Sequence, residues 1–137
     1  MITGYTTGVF DLFHIGHLNI LKNAKALCDR LIVGVSSDEL VFQYKSKRPV
    51  IPFEERLEIV RSLSCVDAVV RREIRDKYEE WKRLRFDVIF VGDDWYDSRE
   101  WKEWEAKLTM TDVHIVYLPY TPGRSTTEII ERIRNGR

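Results

Sequence analysis

The sequence is short of several things at once. It has only two cysteines, Cys28 and Cys65, far apart and set in apolar stretches. Neither a disulfide framework nor a cysteine-based metal site is therefore expected, and both read as small core residues of a reducing compartment. It has no net charge, because 22 Lys plus Arg balance 22 Asp plus Glu. Without a whole-molecule field to attract DNA, RNA or an anionic membrane, nucleic acid and membrane are set aside as partners. No apolar run approaches the roughly 18 residues that a membrane helix needs. The first residues, Met1 to Tyr5, show no basic segment leading into an apolar one, so no signal peptide is expected and the chain is placed in the cytoplasm. Repeats and linker-like stretches are also missing.

What is present is ordinary globular material. The 137 residues suit a single domain spanning 1–137, and 44% hydrophobic with 32% charged residues fits a packed core, not a disordered chain. Strand patterns fall at residues 5–10, 31–35, 66–70, 86–91 and 113–118. Helical periodicity covers 15–29, 53–63, 76–85 and 99–108, with a last helix starting at Ser125. A polar, basic connector with two prolines fills 43–52. Strand and helix alternate, and the strands are short continuous apolar runs. Such a pattern predicts an α/β domain of Rossmann-like type, a five-stranded parallel sheet with helices on both faces. Functional loops then belong at the carboxyl ends of the strands, near the switch point in strand order.

The most informative stretch runs from Thr6 to His17, where the first strand meets the first helix. Gly8 permits close backbone approach to a ligand, and the helix start offers unpaired N–H donors. His14 and His17 are three apart, hence on one face of the first turn. Two imidazoles there can bond phosphate oxygens and stabilise charge during phosphoryl transfer. Capping or packing histidines are the bland alternative. Metal ligation by Asp11, His14 and His17 is a second rival, with His114 the only other histidine.

Three further stretches carry chemistry. Pro122 to Glu128 reads as a helix start with Ser125 as N-cap and Glu128 in the capping-box position. Arg124 and the hydroxyls of Ser125, Thr126 and Thr127 equally make an anion site, so two helix starts at one sheet edge can hold the two ends of a triphosphate. Lys45, Lys47 and Arg48 lie in the basic connector, either as a solvated loop or as one that closes over phosphates. Gly92-Asp93-Asp94-Trp95 ends the fourth strand, where the carboxylates suit a metal, an amino group on a base or a turn.

At these residues the chain resembles the glycerol-3-phosphate cytidylyltransferases within the wider HxGH nucleotidyltransferase family. The resemblance runs from Gly8-Val9-Phe10-Asp11 and His14-Ile15-Gly16-His17 through Ser37-Asp38-Glu39, Glu55-Arg56, Val66-Asp67 and Gly92-Asp93-Asp94-Trp95 to Gly123-Arg124-Ser125-Thr126-Thr127. It implies transfer of CMP from CTP, with Mg²⁺, onto a small phosphorylated alcohol, releasing pyrophosphate and giving a CDP-alcohol for a cell-surface polymer or lipid head group. It further implies His14 and His17 at the reacting centre and Lys45 or Lys47 as a mobile catalytic lysine. Gly8, Val9, Phe10, Gly92, Asp94, Arg124, Ser125, Thr126 and Thr127 correspond to nucleotide contacts, and Asp11, Arg56 and Tyr120 to the acceptor side. A homodimer is the family's usual assembly, and no resident protein metal site is implied.

Two positions depart from the family pattern, since Ser64 and Tyr120 stand where phosphate-facing arginines are usual. An uncharged residue does not replace arginine at a phosphate. The departures keep open a different phosphate or phosphonate acceptor, an ATP-using adenylyltransferase, and a nucleotide-binding domain without activity. The charge balance itself is a sum of patches. Residues 42–56 hold four cations against two acids, and residues 87–106 hold seven acids against two cations. The basic patch flanks the phosphate site that the motifs suggest.

Overall fold

The computed structural model describes residues 1–92, 98–119, 121 and 125–136. Five strands, β1 (Thr3–Gly8), β2 (Arg30–Ser36), β3 (Ala68–Arg72), β4 (Val88–Gly92) and β5 (His114–Leu118), form one sheet in the order β3-β2-β1-β4-β5. Every pairing is parallel. Successive strands first step outward from β1 to β3, and the chain then crosses back to place β4 on the other side of β1. The carboxyl ends of β1 and β4 therefore flank the switch point, where a crevice opens in folds of this kind.

Alternation along the strands divides the core between two faces. Leu31, Val33 and Val35 of β2 and Val88 and Phe90 of β4 pack with Leu21 and Ala24 of α1 (Ile15–Lys25) and Phe53 and Val60 of α3 (Phe53–Arg61). Ile32, Ile89 and Val91 point the opposite way. They pack with Trp101, Trp104 and Leu108 of α5 (Arg99–Leu108) and with Trp81 and Leu84 of α4 (Lys77–Leu84). The expected five-stranded parallel sheet with helices on both faces is thus the observed architecture. No helix among the described residues is long and apolar enough to cross a membrane.

Several boundaries shift by a few residues, α1 ending at Lys25 and β3 running Ala68–Arg72, and two differences matter for the site. The first strand ends at Gly8, not at residue 10, because Phe10 takes φ 56°, a left-handed value that breaks the extended run. A short helix, α2 (Asp38–Lys45), precedes the basic connector. Ser37 caps it by accepting a hydrogen bond from the Leu40 amide at 3.1 Å, and Asp38 and Glu39 complement its positive end. It ends at Ser46 in the left-handed conformation, φ 58°. Lys45 is consequently the last residue of a helix rather than part of a loop. The final helix, α6 (Thr126–Asn135), has Ser125 as its N-cap with the Glu128 amide as donor, as expected.

Candidate active site

The loop from β1 into α1 is strained and firmly held. Phe10 and Leu12 both sit at positive φ, 56° and 50°, which costs side-chain-bearing residues energy unless the surroundings impose it. The Asp11 carboxylate supplies one constraint by accepting hydrogen bonds from the Val50 and Ile51 amides, each at 2.8 Å. The Asp11 carbonyl accepts a third, from the Thr126 hydroxyl at 2.8 Å. Arg56 supplies the other constraint. Fully buried, it donates to the carbonyls of Val9 (2.7 Å), Ser36 (2.9 Å) and Ile51 (2.8 Å) and to the Asp38 carboxylate (2.6 Å).

These contacts give two residues expected on the acceptor side structural partners. The Asp11 carboxylate ties the connector to the β1–α1 loop, and Arg56 braces three backbone segments from beneath. Both shape the site through other residues. Thr126 likewise uses its hydroxyl to join α6 to the loop, and Asn19 of α1 reinforces that join by donating to Thr121 at 3.0 Å. The starts of α1 and α6 are thereby brought together at the carboxyl edge of the sheet.

Gly8 is required by this geometry, because a Cβ there would lie 2.8 Å from the Phe10 ring. Gly8→Ala is expected to displace that ring and destabilise the fold by about 1–3 kcal/mol. Urea unfolding checks this, and an unchanged midpoint would show that the ring moves freely.

The histidine pair is defined by its hydrogen bonds. His14 is the N-cap of α1, its Nδ1 accepting from the Gly16 amide at 3.0 Å. His17 Nδ1 accepts from the His14 amide at 3.2 Å, closing a capping box. The capping alternative is thus realised in the structure, but it leaves chemistry available. With Nδ1 engaged as an acceptor on each ring, the proton of the neutral imidazole must sit on Nε2, making that atom a donor. The rings stack at a centroid distance of 3.8 Å, and His17 is further enclosed by Phe10 at 5.4 Å and Phe13 at 5.2 Å. Burial first, and then the neighbouring His14, push the His17 pKa down to about 3. His17 is therefore a neutral N–H donor at physiological pH.

The remaining expected residues divide into placed and unplaced. Lys45, at the end of α2, has its amine held below the ordinary lysine range by desolvation and by Lys47, while the Asp11 carboxylate opposes the shift. Lys47 and Ser64 are exposed, as is Thr127 in the first turn of α6. Asp94, Tyr120 and Arg124 lie outside the described residues. Among the described residues, no three His, Cys, Asp or Glu side chains converge as a metal site. Asp11, His14 and His17, the expected rival set, direct their assigned acceptor atoms at backbone amides.

One residue was missed by sequence reasoning. Lys77, the first residue of α4, is buried and donates to the Thr7 hydroxyl at 2.9 Å. With Thr6, Thr7, Ile20, Phe90, Val91 and Gly92 it lines a cavity of about 60 Å³ at the carboxyl ends of β1 and β4.

Comparison with known proteins accords with this layout. The family model described as cytidylyltransferase-like matches residues 5–132. FAD synthase of Pyrococcus abyssi is 40% identical over 131 residues, covering 92% of this chain and 88% of that protein. Bifunctional protein HldE of Acidiphilium cryptum is 35% identical over 138 residues, and the chain spans only 27% of its length. Among solved structures, the lipopolysaccharide core biosynthesis protein of Thermoplasma volcanium superposes with a TM-score of 0.71 at 28% identity, over 88% of this chain and 97% of that one.

Proposed function

This chain belongs to the cytidylyltransferase-like family of nucleotidyltransferase-type enzymes, and from that premise we propose that it transfers a nucleoside monophosphate from a nucleoside triphosphate to the phosphate of a small phosphorylated alcohol. CTP is the donor suggested by the Gly92-Asp93-Asp94-Trp95 motif. The observation that carries the reading is the stacked pair of imidazoles at the start of α1, held beside the start of α6 by the Thr126–Asp11 bond. An oxygen of the acceptor's phosphate attacks the α-phosphorus and forms a new P–O bond. The bond from that phosphorus to the bridging oxygen breaks, and pyrophosphate leaves with the electron pair. No side chain need become covalently attached.

The work of the protein is then positioning and charge stabilisation. His14 and His17 donate from Nε2 to phosphate oxygens as charge moves toward the leaving group. The amides of the first turn of α6 and the Ser125 and Thr127 hydroxyls take the β- and γ-phosphates. Mg²⁺ enters as the counter-ion of the triphosphate, whose oxygens suit its preference for hard ligands. Lys45 closes on the phosphates from the end of α2. Its amine already senses Asp11, and so Lys45→Ala is expected to lower kcat by roughly tenfold or more while Lys47→Ala costs less, the scale of one electrostatic donor. Equal effects of the two, measured as steady-state pyrophosphate release, would assign the role to neither in particular. A homodimer goes with this reading.

A second reading is favoured by one observation, the 40% identity with an FAD synthase over most of both chains. FAD carries an adenylyl group, so an ATP-dependent transfer to a phosphate monoester uses the same site with another base. The structural neighbour named for lipopolysaccharide core synthesis supports a product destined for the cell surface. Incubation with each nucleoside triphosphate, Mg²⁺ and a panel of phosphate monoesters separates the two. Pyrophosphate released only with ATP would replace cytidylyl by adenylyl transfer.

A further inference from the structure

The last turn of α2 is held from outside the helix. Isolated helices shorter than about 12 residues are marginal in water, and α2 has 8, so packing must fix its position. Ser37 caps its start, Glu39 pairs there with Arg71 at 3.3 Å, and Leu40 and Val41 are buried. At its end, Phe42, Gln43 and Lys45 are exposed, and Tyr44 is the one partly buried side chain. The Tyr44 ring therefore carries the attachment of that turn.

Arg75, in the segment between β3 and α4, meets this ring. Its guanidinium lies 4.5 Å from the ring centroid, inside the roughly 6 Å limit of a cation–π contact. The same guanidinium pairs at 3.0 Å with the carboxylate of Glu100, in the first turn of α5. An exposed ion pair stabilises little by itself, because ordering two long side chains offsets the attraction. Arg75 differs in having its backbone fixed. Its carbonyl accepts a hydrogen bond from Arg72 at 2.9 Å, and buried Arg72 pairs with buried Glu80 at 3.0 Å. Glu80 in turn accepts from the Tyr5 hydroxyl of β1. Arg75 thus connects the centre of the sheet to Tyr44, and Tyr44 immediately precedes Lys45.

We propose that Arg75 is a positioning residue: stacked on Tyr44 and braced by Glu100, it holds the last turn of α2 so that Lys45 is presented to the triphosphate. This rests on the proposed role of Lys45 in nucleotidyl transfer, and it names the residue that aims that lysine. The Lys45 amine lies 5.8 Å from the centroid of the same ring, so a shift of Tyr44 moves the amine with it. Asp11, in the loop that leads to the histidines, already acts electrostatically on that amine. A displacement of about 1 Å at a reacting centre can cost as much as 10²-fold in rate, so a loosened turn should be visible in kcat.

The test is steady-state pyrophosphate release by the full chain, with CTP and ATP as donors, Mg²⁺ and the phosphate-monoester panel. Arg75→Met is expected to lower kcat about fivefold, the scale of coupling between neighbouring residues, while the nucleotide KM changes less than about twofold. Tyr44→Leu removes the other half of the contact and should give the same loss. Arg75→Lys keeps the charge but not the planar face, so its kcat should fall between those of Arg75→Met and the unaltered protein. The decisive comparison is made in Lys45→Ala. With the amine gone there is nothing left to aim, and adding Arg75→Met should change kcat by less than about twofold. A loss as large in that background as in the unaltered protein would make Arg75 merely structural and overturn the proposal. Unchanged kcat in folded Arg75→Met and Tyr44→Leu, or a nucleotide KM that rises as much as kcat falls, would overturn it too. Should Arg75→Met fail to fold, as judged by thermal melting, Tyr44→Leu with and without Lys45→Ala gives the same comparison. Normal turnover that ignores Arg75 sinks this inference and spares the transfer reaction, whereas no release with any donor and acceptor overturns both.

Discussion

Replacing His17 with alanine is expected to lower kcat by roughly 10²-fold or more, the scale of losing one preorganised donor to a transition-state oxygen. The KM for nucleotide should move little, because the donor is aimed at charge that develops during the reaction rather than at the bound ground state. The variant also loses half of the capping box on α1, worth about 1 kcal/mol, so thermal melting must accompany the kinetics. A fall in kcat of under about threefold would remove His17 from the reacting centre. The pH behaviour is equally specific. A histidine with a folded pKa of about 3 stays neutral throughout the physiological range, so the acid limb of kcat should show no inflection from His17 near the ordinary histidine value. Linkage runs in the matching direction. The unfolded chain takes up a proton at His17 below about pH 6.5 and the folded chain does not, so this group's contribution is fully present above that pH and is lost as pH falls toward 3.

The largest expected loss of stability is at Arg56. Arg56→Met should cost about 3 kcal/mol, the lower end for removing one partner of a buried ionic contact, because Asp38 remains partly in contact with water. The mechanism is loss of satisfaction. The carbonyls of Val9, Ser36 and Ile51 each lose a donor, and the β1–α1 loop loses the brace beneath its two left-handed residues. For a domain whose total stability is typically about 5–15 kcal/mol this is a large fraction. Urea unfolding reads it directly, and a loss below about 1 kcal/mol would mean that water replaces the guanidinium. Nucleotide affinity should fall with stability, because the strained loop carries His14 and His17 into place.

Much of this was legible in the sequence, for identifiable reasons. Short apolar runs such as Leu31 to Val35 read as strands buried on both faces, and the Trp- and Glu-rich stretch 99–108 reads as a helix with the observed limits of α5. The Ser125 cap was equally readable, since its side chain acts on an amide three residues away. What escaped was short or long-range. Helix α2 has only eight residues, and the polar end at Gln43 to Lys45 merged with the basic connector. Its start signal, Ser37 followed by Asp38 and Glu39, was nonetheless present. The roles of Asp11 and Arg56 depend on partners about 40 residues away, which no local pattern reveals. Lys77 sits seven residues before Leu84, on the buried stripe of α4 that also takes Glu80. Periodicity could have flagged a lysine there, but only the packing shows that it reaches Thr7.

The central claim is that the bond broken lies between the α- and β-phosphates of a nucleoside triphosphate and that the acceptor's phosphate keeps the α-phosphorus. Parallel reactions with CTP and ATP, each labelled in turn at the α- and the γ-phosphate, test it directly in the presence of the phosphate-monoester panel. The account predicts α-label in a new nucleoside diphosphate ester and γ-label in pyrophosphate with at least one donor and acceptor. Label from the γ-position on the acceptor, or release of a nucleoside diphosphate without label transfer, would contradict it.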